Sequence, residues 1–480
     1  MYETLQTYWP HILFALGLLM GIPAAIHAAM TKDDVRAAIG WVGVILLSPV
    51  LGAIIYAIAG VNRIRRETVG KTRTSEDVES AAGPGPGETS PAFPAGSRFE
   101  AMRTLGDRVS PFWLTAGNEI RILHGGDEAY PAMIAQIDAA QRYIVLSSYI
   151  FDNDPVGRQV ADALARAVAR GVEVRVLIDA IGARYSRPSI RDRLRDGNVP
   201  NRLFLGNIIG FRLPYANLRN HRKMMVVDGS VGFTGGMNIR QMFATSPENP
   251  EPHRDTHFRI TGPVVAQIFA VFANDWFFVH RERLDGPIWR GADDEPQGPS
   301  VARVIFSGPD QRVDATHAMV MGAAAVARKR LIIASPYFLP DLQLVGALAS
   351  AARRGVEVDI VIPSSNNLRL VDYAMTAQLD QVIGPGCRVW RSAGPFDHSK
   401  LMTVDGRWSL VGSSNMDTRS LRLNFEFDIE VYDPHFASLV ETHLRGRIAS
   451  GQEETLATLK GRAFTKRLRN RIVWLASPYL

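Results

Sequence analysis

The chain contains a single cysteine and few lysines, and both shortages limit the kinds of site that it can form. With only Cys387, the 480 residues cannot form an intrachain disulfide or a cysteine-rich metal cluster. Seven of the 54 basic residues are lysines, and the others are arginines. A solvent-exposed basic site in such a chain would be expected to use arginine. The lysines therefore indicate sites where a compact ammonium group is favoured.

Net charge and chain length limit the class of partner and the number of domains. The formal net charge is +6 and the isoelectric point is near 9.4, which favours an anionic partner. Nucleic acid and anionic lipid satisfy this condition equally well. A chain of 480 residues can bury a large core, and it is expected to fold as two or three domains.

Two N-terminal stretches lack charged residues altogether. Residues 11–30 and 37–60 contain no Asp, Glu, Lys or Arg, and each is long enough to cross a hydrocarbon core of about 30 Å as a helix. A buried helix is the alternative, and a signal peptide is disfavoured because Glu3 is the only charged side chain among the first ten residues. The sequence predicts two transmembrane helices in an anchor over residues 1–66.

The charges beside these stretches predict an orientation. The loop between them is balanced, whereas the segment after the second is basic, with Arg63, Arg65, Arg66, Lys71 and Arg73. The positive-inside rule then puts the exit of the second helix, and with it the amino terminus, in the cytoplasm. Residues 67–99 are expected to form a flexible linker, because 75–97 are rich in Ser, Gly and Pro.

The rest of the chain contains an internal repeat. In each copy an apolar strand is followed by an amphipathic helix, a glycine and a second apolar strand; the copies are 142–180 and 330–363. Such alternation indicates an α/β fold with mixed sheets covered by helices. We expect two similar lobes, over residues 100–295 and 300–480.

Each lobe contains one copy of a polar motif, at 220–238 and 397–415. Both read His, any residue, Lys, four residues, Asp, then a Gly-containing cluster that ends in Asn. The matching residues are His221, Lys223, Asp228 and Asn238 in the first copy, and His398, Lys400, Asp405, Ser413 and Asn415 in the second. Two copies that both continue to Gly and Asn make coincidence a poor explanation.

The motif suits chemistry on a phosphodiester. Imidazole is a nucleophile or base near neutral pH, an ammonium group binds a phosphate oxygen, and an Asn amide can donate to the same anion. Two such sets that face each other could hold one phosphodiester between two histidines. The aspartates are counted with the motif residues, but each precedes Gly at a predicted hairpin turn. A structural role is favoured for them over direct catalysis.

The paired motifs resemble those of the phospholipase D superfamily. The resemblance extends to bacterial cardiolipin synthases through the apolar N-terminal segments, SSYIFDND (147–154), SPYFLPD (335–341), NHRK (220–223) and NMDTRSLRLNFE (415–426). It implies that a phosphatidyl group is transferred through a phosphohistidine, and that two phosphatidylglycerol molecules yield cardiolipin and glycerol. It also implies two phospholipase D-like lobes, a bacterial inner-membrane location, and neither a catalytic metal nor another cofactor.

The resemblance implies roles for particular residues. His221 would be the nucleophile and His398 the acid and later the base, although the near symmetry of the motifs allows the reverse. Lys223, Lys400 and the phosphate-binding set Asn238, Ser413 and Asn415 would contact the phosphate, and Gly236 departs from the pattern where Ser413 conforms to it. Acids that follow the motifs, Asp255 and Glu426, would orient the histidines, with ordinary surface acids as the alternative.

Several alternatives remain open from sequence. A hydrolase would share donor and motifs, a nuclease is disfavoured by the apolar N-terminal stretches, and a non-catalytic scaffold is disfavoured by two intact motifs. No nucleic acid partner is expected, and a zinc site at His253 and His257 is disfavoured. Tyr149 and Tyr337 could contact a headgroup or pack. Residues 466–480 could form an interfacial helix or pack on the domain, and 203–218 could admit lipid or lie in the core.

Overall fold

A computed structural model describes residues 2–32, 34–60, 97–205, 218–289, 291, 296–308 and 314–477. The described residues belong to two compact units, a small N-terminal unit that ends by residue 65 and a large unit that contains the rest. Residues 67–96 of the expected linker lie outside the described residues, as do residues 206–217 of the apolar stretch 203–218.

The N-terminal unit consists of apolar helices. Helix α1 (Tyr2–Thr31) includes a stretch from Tyr8 to Thr31 that is long and apolar enough to cross a membrane. The second predicted span is divided into α2 (Val35–Leu47) and α3 (Pro49–Ile55), followed by a π-helical turn over Tyr56–Gly60. The division lies at Ser48–Pro49, because proline has no amide hydrogen to continue the helical hydrogen bonds. Among the described residues only α1 has spanning length, so two transmembrane helices are not confirmed.

The first half of the large unit alternates strands and helices. Its strands are β1 (Thr115–His124), β2 (Tyr143–Ser148), β3 (Glu173–Asp179), β4 (Asn201–Phe204), β5 (Met224–Val227), β6 (Val231–Gly235) and β7 (Thr256–Thr261). Its helices are α4 (Arg98–Val109), α5 (Gly125–Ala139), α6 (Pro155–Ala169), α7 (Ile190–Asp196) and α8 (Val264–His280).

The second half repeats this order and extends it. Its strands are β8 (Ser300–Ser307), β9 (Arg330–Ala334), β10 (Phe338–Leu339), β11 (Glu357–Pro363), β12 (Arg388–Ser392), β13 (Leu401–Val404), β14 (Trp408–Gly412), β15 (Met416–Asp417), β16 (Glu426–Tyr432) and β17 (Gln452–Glu454). Its helices are α9 (Ala315–Val326), α10 (Leu342–Arg353), α11 (Arg369–Gln378), α12 (Asp380–Ile383), α13 (Thr418–Arg422), α14 (Pro434–Ala449), α15 (Leu456–Lys460) and α16 (Phe464–Trp474).

One continuous sheet joins the two halves. Its strand order is β17-β12-β11-β9-β13-β14-β16-β8-β1-β7-β6-β5-β2-β3-β4, so the halves run outward in matching order from the central antiparallel pair β1 and β8. The pairs β2–β3, β3–β4, β9–β11 and β11–β12 are parallel, whereas the motif hairpins are antiparallel. The expected α/β class with a mixed sheet is confirmed.

The repeated helices begin and end as their sequences indicate. Asp154 caps α6 and Asp341 caps α10, since each carboxylate accepts an amide hydrogen three residues later. Gly171 and Gly355 follow these helices with φ of +87° each, which glycine adopts without the cost that a Cβ would bring. These helices cover two separate apolar cores, one in each half.

Helix α4 belongs to the first half by sequence but packs on the second half. It precedes β1, but its buried Phe99 and Met102 pack in the core of the second half, with Ala315 and Met319 of α9. Arg303 on β8 then pairs with Asp107 of this helix at 2.5 Å and with Glu430 on β16 at 2.5 Å. The start of the first half is therefore held against the second half.

The motif strands form two hairpins whose aspartates have the same structural environment. Asp228 and Gly229 both have positive φ, as do Asp405 and Gly406, which suits the two-residue turns of right-twisted hairpins. The Asp228 carboxylate accepts backbone amides at the start of β2, from Gln141, Arg142 and Tyr143 at 2.8–2.9 Å. Asp405 accepts those of Arg328, Lys329 and Arg330 and also pairs with Arg98. Each aspartate thus fixes its hairpin to the neighbouring strand.

These contacts predict a stability defect. We expect Asp405→Ala to lower the free energy of unfolding by about 1–3 kcal/mol, because three amides and Arg98 lose their acceptor. Thermal unfolding in detergent would measure the change, with Asp405→Asn as a milder control that keeps one acceptor oxygen. A variant that unfolds like the wild type but has lost its activity would instead indicate a direct role in chemistry.

Candidate active site

Each motif histidine emerges just before a buried strand and is held by the other half of the large unit. His221 and Lys223 precede β5, and the His221 amide donates to the Phe425 carbonyl at 2.9 Å. His398 and Lys400 precede β13, and the His398 amide donates to the Arg254 carbonyl at 2.8 Å. Because residues 425 and 254 directly precede Glu426 and Asp255, each histidine lies beside the acid of the opposite half.

Two crossed histidine–carboxylate pairs result. His221 Nδ1 lies 3.0 Å from Glu426 Oε2, and His398 Nδ1 lies 3.0 Å from Asp255 Oδ2. All four side chains are buried. A carboxylate at Nδ1 orients the imidazole and leaves Nε2 as the nitrogen available to a substrate.

Both histidines line one cavity of about 440 Å³ between the halves. Asn238 and Asn415 line it as well, together with Tyr149, Tyr337 and the arginines Arg219, Arg240 and Arg419. The Tyr149 ring centroid is 5.2 Å from that of His221, and the Tyr337 ring is 6.1 Å from His398. The two tyrosines therefore flank the histidines in corresponding positions.

The motif lysines lie behind the histidines and are almost fully buried. Lys223 Nζ donates to the His221 carbonyl at 2.5 Å, and Lys400 Nζ donates to the His398 carbonyl. Burial lowers the pKa of Lys223 to about 7 and that of Lys400 to about 8. An anion in the cavity would favour the charged form of both lysines.

The imidazoles are also shifted towards the neutral form. Burial lowers the pKa of His221, although the Glu426 charge acts in the opposite direction. The pKa of His398 is well below its usual value because of burial and the nearby charges of Lys400 and Lys223. Both imidazoles are therefore mainly neutral near pH 7.

The two partner carboxylates have unequal surroundings. Glu426 accepts hydrogen bonds from His221, Ser413, Ser420 and Asn424. Burial raises its pKa, but the His221 and Lys223 charges and these hydrogen bonds outweigh burial and lower the pKa to about 2. Burial raises the pKa of Asp255 to about 6 against the influence of Lys400 and the Thr256 amide. Only Glu426 is strongly favoured as a full anion.

Ser413 lies beside Glu426, and its role as a phosphate ligand stays a prediction. Its hydroxyl donates to Glu426 at 2.6 Å and accepts the Phe427 amide at 2.9 Å, and the residue is fully buried. At the matching Gly236, a Cβ would lie 2.5 Å from Asp255 Oδ1 and 2.8 Å from the His398 carbonyl oxygen. The departure from the motif is therefore steric, and the extra serine supports Glu426.

The asparagines differ in their remaining hydrogen-bonding capacity. Asn238 Oδ1 accepts the Ile150 amide at 3.0 Å. This contact uses the side-chain oxygen, so the Nδ2 hydrogens of Asn238 can donate to another group. Asn415 Oδ1 is buried and has no hydrogen-bond partner among the described residues. Both side chains therefore retain groups that can contact a bound ligand in the cavity.

The two histidines considered for a zinc site have different surroundings. His253 packs against Phe243 and Phe396, whereas His257 is buried in β7 next to Gly235. Among the described ranges, no group of three His, Cys, Asp or Glu side chains is arranged to hold a metal ion. The cavity arginines and the supports Ser420 and Asn424 were missed by sequence reasoning, although three of these five residues lie within the quoted segment 415–426.

Comparison with known proteins agrees with this architecture. A family model described as "Cardiolipin synthase, PLD-like domain" matches residues 133–276 and 322–448, and "Phospholipase D-nuclease N-terminal" matches 20–60. The solved phosphatidylserine synthase of Haemophilus influenzae Rd KW20 superposes with a TM-score of 0.59 at 18% identity, covering 79% of this chain and 100% of that one. At this identity the likeness shows the fold alone.

Curated relatives extend the similarity over the whole chain. Cardiolipin synthase A of Pseudomonas entomophila (strain L48) is 32% identical over 478 residues, which are 98% of this chain and 99% of the relative. Cardiolipin synthase A of Pseudomonas putida (strain GB-1) is 32% identical over 474 residues, 97% of this chain and 98% of that protein. With both repeated halves and the N-terminal segment matched, this chain belongs to the cardiolipin synthase family of phospholipase D-like proteins.

Proposed function

We propose that this protein is a membrane-bound phosphatidyl transferase that makes cardiolipin and glycerol from two phosphatidylglycerol molecules. The observation that carries the proposal is the single cavity lined by two histidines, each paired through Nδ1 with a carboxylate of the opposite half. Two oriented Nε2 atoms at one cavity suit a double displacement at phosphorus. The apolar N-terminal helix keeps such an enzyme at its lipid substrate.

The first half-reaction uses the two histidines in different roles. His221 Nε2 attacks the phosphorus of the donor, the bond from phosphorus to the glycerol headgroup breaks, and a phosphohistidine forms. His398 donates the proton that the departing glycerol oxygen needs. The negative charge of the bound phosphate favours protonated His398, since it opposes the lysine charges that lower its pKa in the empty cavity.

The second half-reaction reverses these proton movements. His398, now neutral, takes the proton of an acceptor hydroxyl as its oxygen attacks the phosphorus. The bond from His221 to phosphorus breaks, and the second phosphodiester of cardiolipin forms. Water in place of the lipid hydroxyl would give phosphatidic acid.

The unequal carboxylates support this assignment of roles. Glu426 remains anionic over a wide pH range and accepts hydrogen bonds from three side chains besides His221. A full negative charge at Nδ1 stabilises the positive charge that an attacking imidazole acquires. Asp255 has a raised pKa and is less strongly favoured as an anion than Glu426. It therefore stabilises protonated His398 less, which makes His398 the better proton donor.

The remaining motif residues act on the phosphate or on the histidines. Lys223, Lys400 and the amide groups of Asn238 and Asn415 would stabilise the non-bridging oxygens. Asp228 and Asp405 position the motif hairpins, and Ser413 positions Glu426. Asp255 and Glu426 act through the histidines.

The N-terminal unit would cross the bacterial inner membrane twice. Helices α2 and α3 run from Val35 to Ile55 with only Ser48 between them, and their combined length suits a second span of about 30 Å despite the break. The basic residues from Arg63 to Arg73 then favour a cytoplasmic location for the catalytic unit.

The covalent intermediate can be tested directly. We expect purified protein with phosphatidylglycerol vesicles to form cardiolipin and glycerol, and acid quench followed by mass spectrometry to find a phosphatidyl adduct on His221. His221→Ala and His398→Ala should each lower the rate by about 10³-fold or more. His280→Ala, at the half-buried C-terminal end of α8 and outside the lining of the cavity, is the histidine control.

The outcomes separate the alternatives. An adduct on His398 would reverse the assignment, and an adduct on neither histidine would contradict the covalent route. Phosphatidic acid as the main product would identify a hydrolase. Normal turnover by both alanine variants would leave the histidine pair without a catalytic role.

Removal of charge from the two carboxylates should lower activity in both cases but change stability differently. Glu426→Gln and Asp255→Asn should each lower kcat, by about 10²–10⁴-fold, because the imidazoles lose their orienting acceptors. Folded Glu426 has a lowered pKa, so its charge adds stability above its unfolded pKa. The raised pKa of Asp255 means that its charge costs stability near neutral pH.

Thermal unfolding at pH 7.5 measures this difference. Glu426→Gln should lower Tm, whereas Asp255→Asn should leave it unchanged or raise it. Equal losses of Tm in both variants would contradict the inequality of the two pairs.

A further inference from the structure

Two arginines that the proposed chemistry does not use lie on one wall of the catalytic cavity. Arg219 precedes the first motif, and Arg419 belongs to α13; both line the cavity with His221. The Arg219 carbonyl accepts the Phe425 amide at 2.8 Å, and the Arg419 carbonyl accepts the amides of residues 423 and 424 at 2.9 and 3.1 Å. One short segment, 423–425, therefore holds both arginines on the same wall.

The two guanidinium groups lie close enough to repel each other, and the carboxylates of Asp179 and Asp417 are nearby. Burial lowers the pKa of Arg219, and the positive charge of Arg419 lowers it further, although Asp179 acts in the opposite direction. The Asp179 carboxylate accepts three backbone amides, those of Ile181, Gly182 and Asn220. Asp417, near Arg419, caps α13 through the Ser420 amide, and burial raises its pKa to about 6. A bound anion would relieve the repulsion between the two guanidinium groups.

The pair is close to the reacting histidine but separate from it. The Tyr149 ring lies against His221, and Lys223 Nζ is 5.7 Å from its centroid. Burial raises the pKa of the Tyr149 hydroxyl, and the charges of Arg219 and Arg419 act in the opposite direction. The Tyr149 ring therefore contacts the histidine, and its hydroxyl lies within electrostatic range of both arginines. A phosphate on the arginines would be a second one, distinct from the phosphate attacked by His221.

We infer that Arg219 and Arg419 bind the phosphate of the acceptor phospholipid and thereby present its glycerol hydroxyl to the phosphohistidine. The inference rests on the proposed transferase function. Guanidinium groups bind phosphate oxygens with two parallel hydrogen bonds, which fix orientation as well as position. The acceptor hydroxyl is thus held at a high effective concentration, which favours it over water.

Free glycerol is an acceptor that has no phosphate, so its reaction distinguishes binding of the acceptor phosphate from a role in donor binding or in the transfer step. Wild-type enzyme in phosphatidylglycerol vesicles should form cardiolipin and should also exchange labelled free glycerol into phosphatidylglycerol. In Arg219→Gln, Arg419→Gln and the double variant, we expect cardiolipin formation to fall by about tenfold or more, since a charge-assisted contact is lost. Glycerol exchange should stay within about twofold, and the share of phosphatidic acid should rise.

The controls make each outcome decisive. Arg193→Gln removes one charge from an exposed pair with Asp162 and should leave both reactions unchanged. Equal loss of cardiolipin formation and glycerol exchange would overturn the inference, because the arginines would then serve the donor or the transfer step. Unchanged cardiolipin formation would also overturn it. If the wild type forms neither product, the proposed function itself fails.

A second, independent observation concerns the surface of α16. Phe464, Leu468, Ile472 and Leu475 are 72%, 47%, 58% and 72% exposed, and their spacing puts them on one side of a helix. Between residues 455 and 477 the chain has six basic residues and no acidic one; they are Lys460, Arg462, Lys466, Arg467, Arg469 and Arg471. An exposed apolar stripe with basic flanks is typical of helices that lie in the interface of an anionic membrane.

This surface continues to the mouth of the catalytic cavity. The Arg469 guanidinium lies 3.6 Å from the centre of the Tyr373 ring on α11, and Trp474 Nε1 donates to Gln378 at 3.3 Å. Leu368, which is 48% exposed at the start of α11, and Ser477, which follows α16, both line the cavity. A bilayer that contacts α16 would therefore also lie close to the route that lipid headgroups must take.

We propose that the exposed face of α16 inserts into the interface of an anionic lipid bilayer and holds the cavity mouth against it. The apolar side chains would enter the headgroup boundary, and Lys466 and Arg467 would contact lipid phosphates. Arg462, Arg469 and Arg471 instead contact Glu454, Tyr373 and Asp380. The helix would in this way orient the catalytic unit relative to the bilayer.

A site-specific probe tests the proposal in the full chain. In a Cys387→Ala background, Leu468→Cys and Leu439→Cys would each be labelled with an environment-sensitive fluorophore. These leucines are matched, at 47% and 45% exposure, but Leu439 is on α14. In nanodiscs that contain phosphatidylglycerol, the probe at 468 should shift to the blue and be quenched by spin-labelled lipids, while the probe at 439 should stay in water.

Two outcomes would overturn this proposal. In the first, the probe at 468 remains in water in nanodiscs with phosphatidylglycerol. In the second, it is shielded in native membranes but not in nanodiscs of lipid alone, which would indicate a protein partner instead.

Discussion

The catalytic arrangement depends on one interaction made twice, the hydrogen bond between a histidine of one half and a carboxylate of the other. His221 pairs with Glu426 and His398 with Asp255, each at 3.0 Å. These bonds require the central strands β1 and β8 to join both halves into one sheet, and they require residues 425 and 254 to bind the histidine backbones. Neither half can complete an oriented histidine alone. The unit of function is therefore the pair of halves, although the repeated sequence suggests two equal modules.

The backbone is nearly symmetric, whereas the side chains around the two acids are not. Glu426 has the support of Ser413, Ser420 and Asn424, while the corresponding space near Asp255 admits only Gly236. The result is one strong anion and one carboxyl group with a raised pKa. In the proposed mechanism, this inequality would let two almost identical motifs divide the roles of nucleophile and acid, because the charge beside each imidazole favours one role over the other.

The cavity also concentrates positive charge that is poorly solvated. Lys223 and Lys400 are buried and have lowered pKa values, and three arginines line the wall. Burying like charges is unfavourable, and a bound phosphate would add to the negative charge of Glu426 and Asp255 that opposes it. The shortage of lysine elsewhere in the chain agrees with this, since a compact ammonium group can lie behind a histidine where a planar guanidinium, with five N–H donors, would need more acceptor partners.

Local pattern determined much of this protein. The Asp-Gly pairs at 228–229 and 405–406 indicated both hairpins, glycines 171 and 355 indicated helix ends, and the strand–helix repeat indicated the α/β class, because each depends on dihedral preferences and side-chain periodicity over a few residues. Tertiary structure decided which acid meets which histidine, turned Ser413 away from the cavity, brought Arg219 beside Arg419 and joined α4 to the distant half. Except for the Ser413 contact, these contacts join residues far apart in the chain, 205 positions for His221 and Glu426 and 143 for His398 and Asp255, and they form only when two cores dock across one sheet. No local preference encodes that docking.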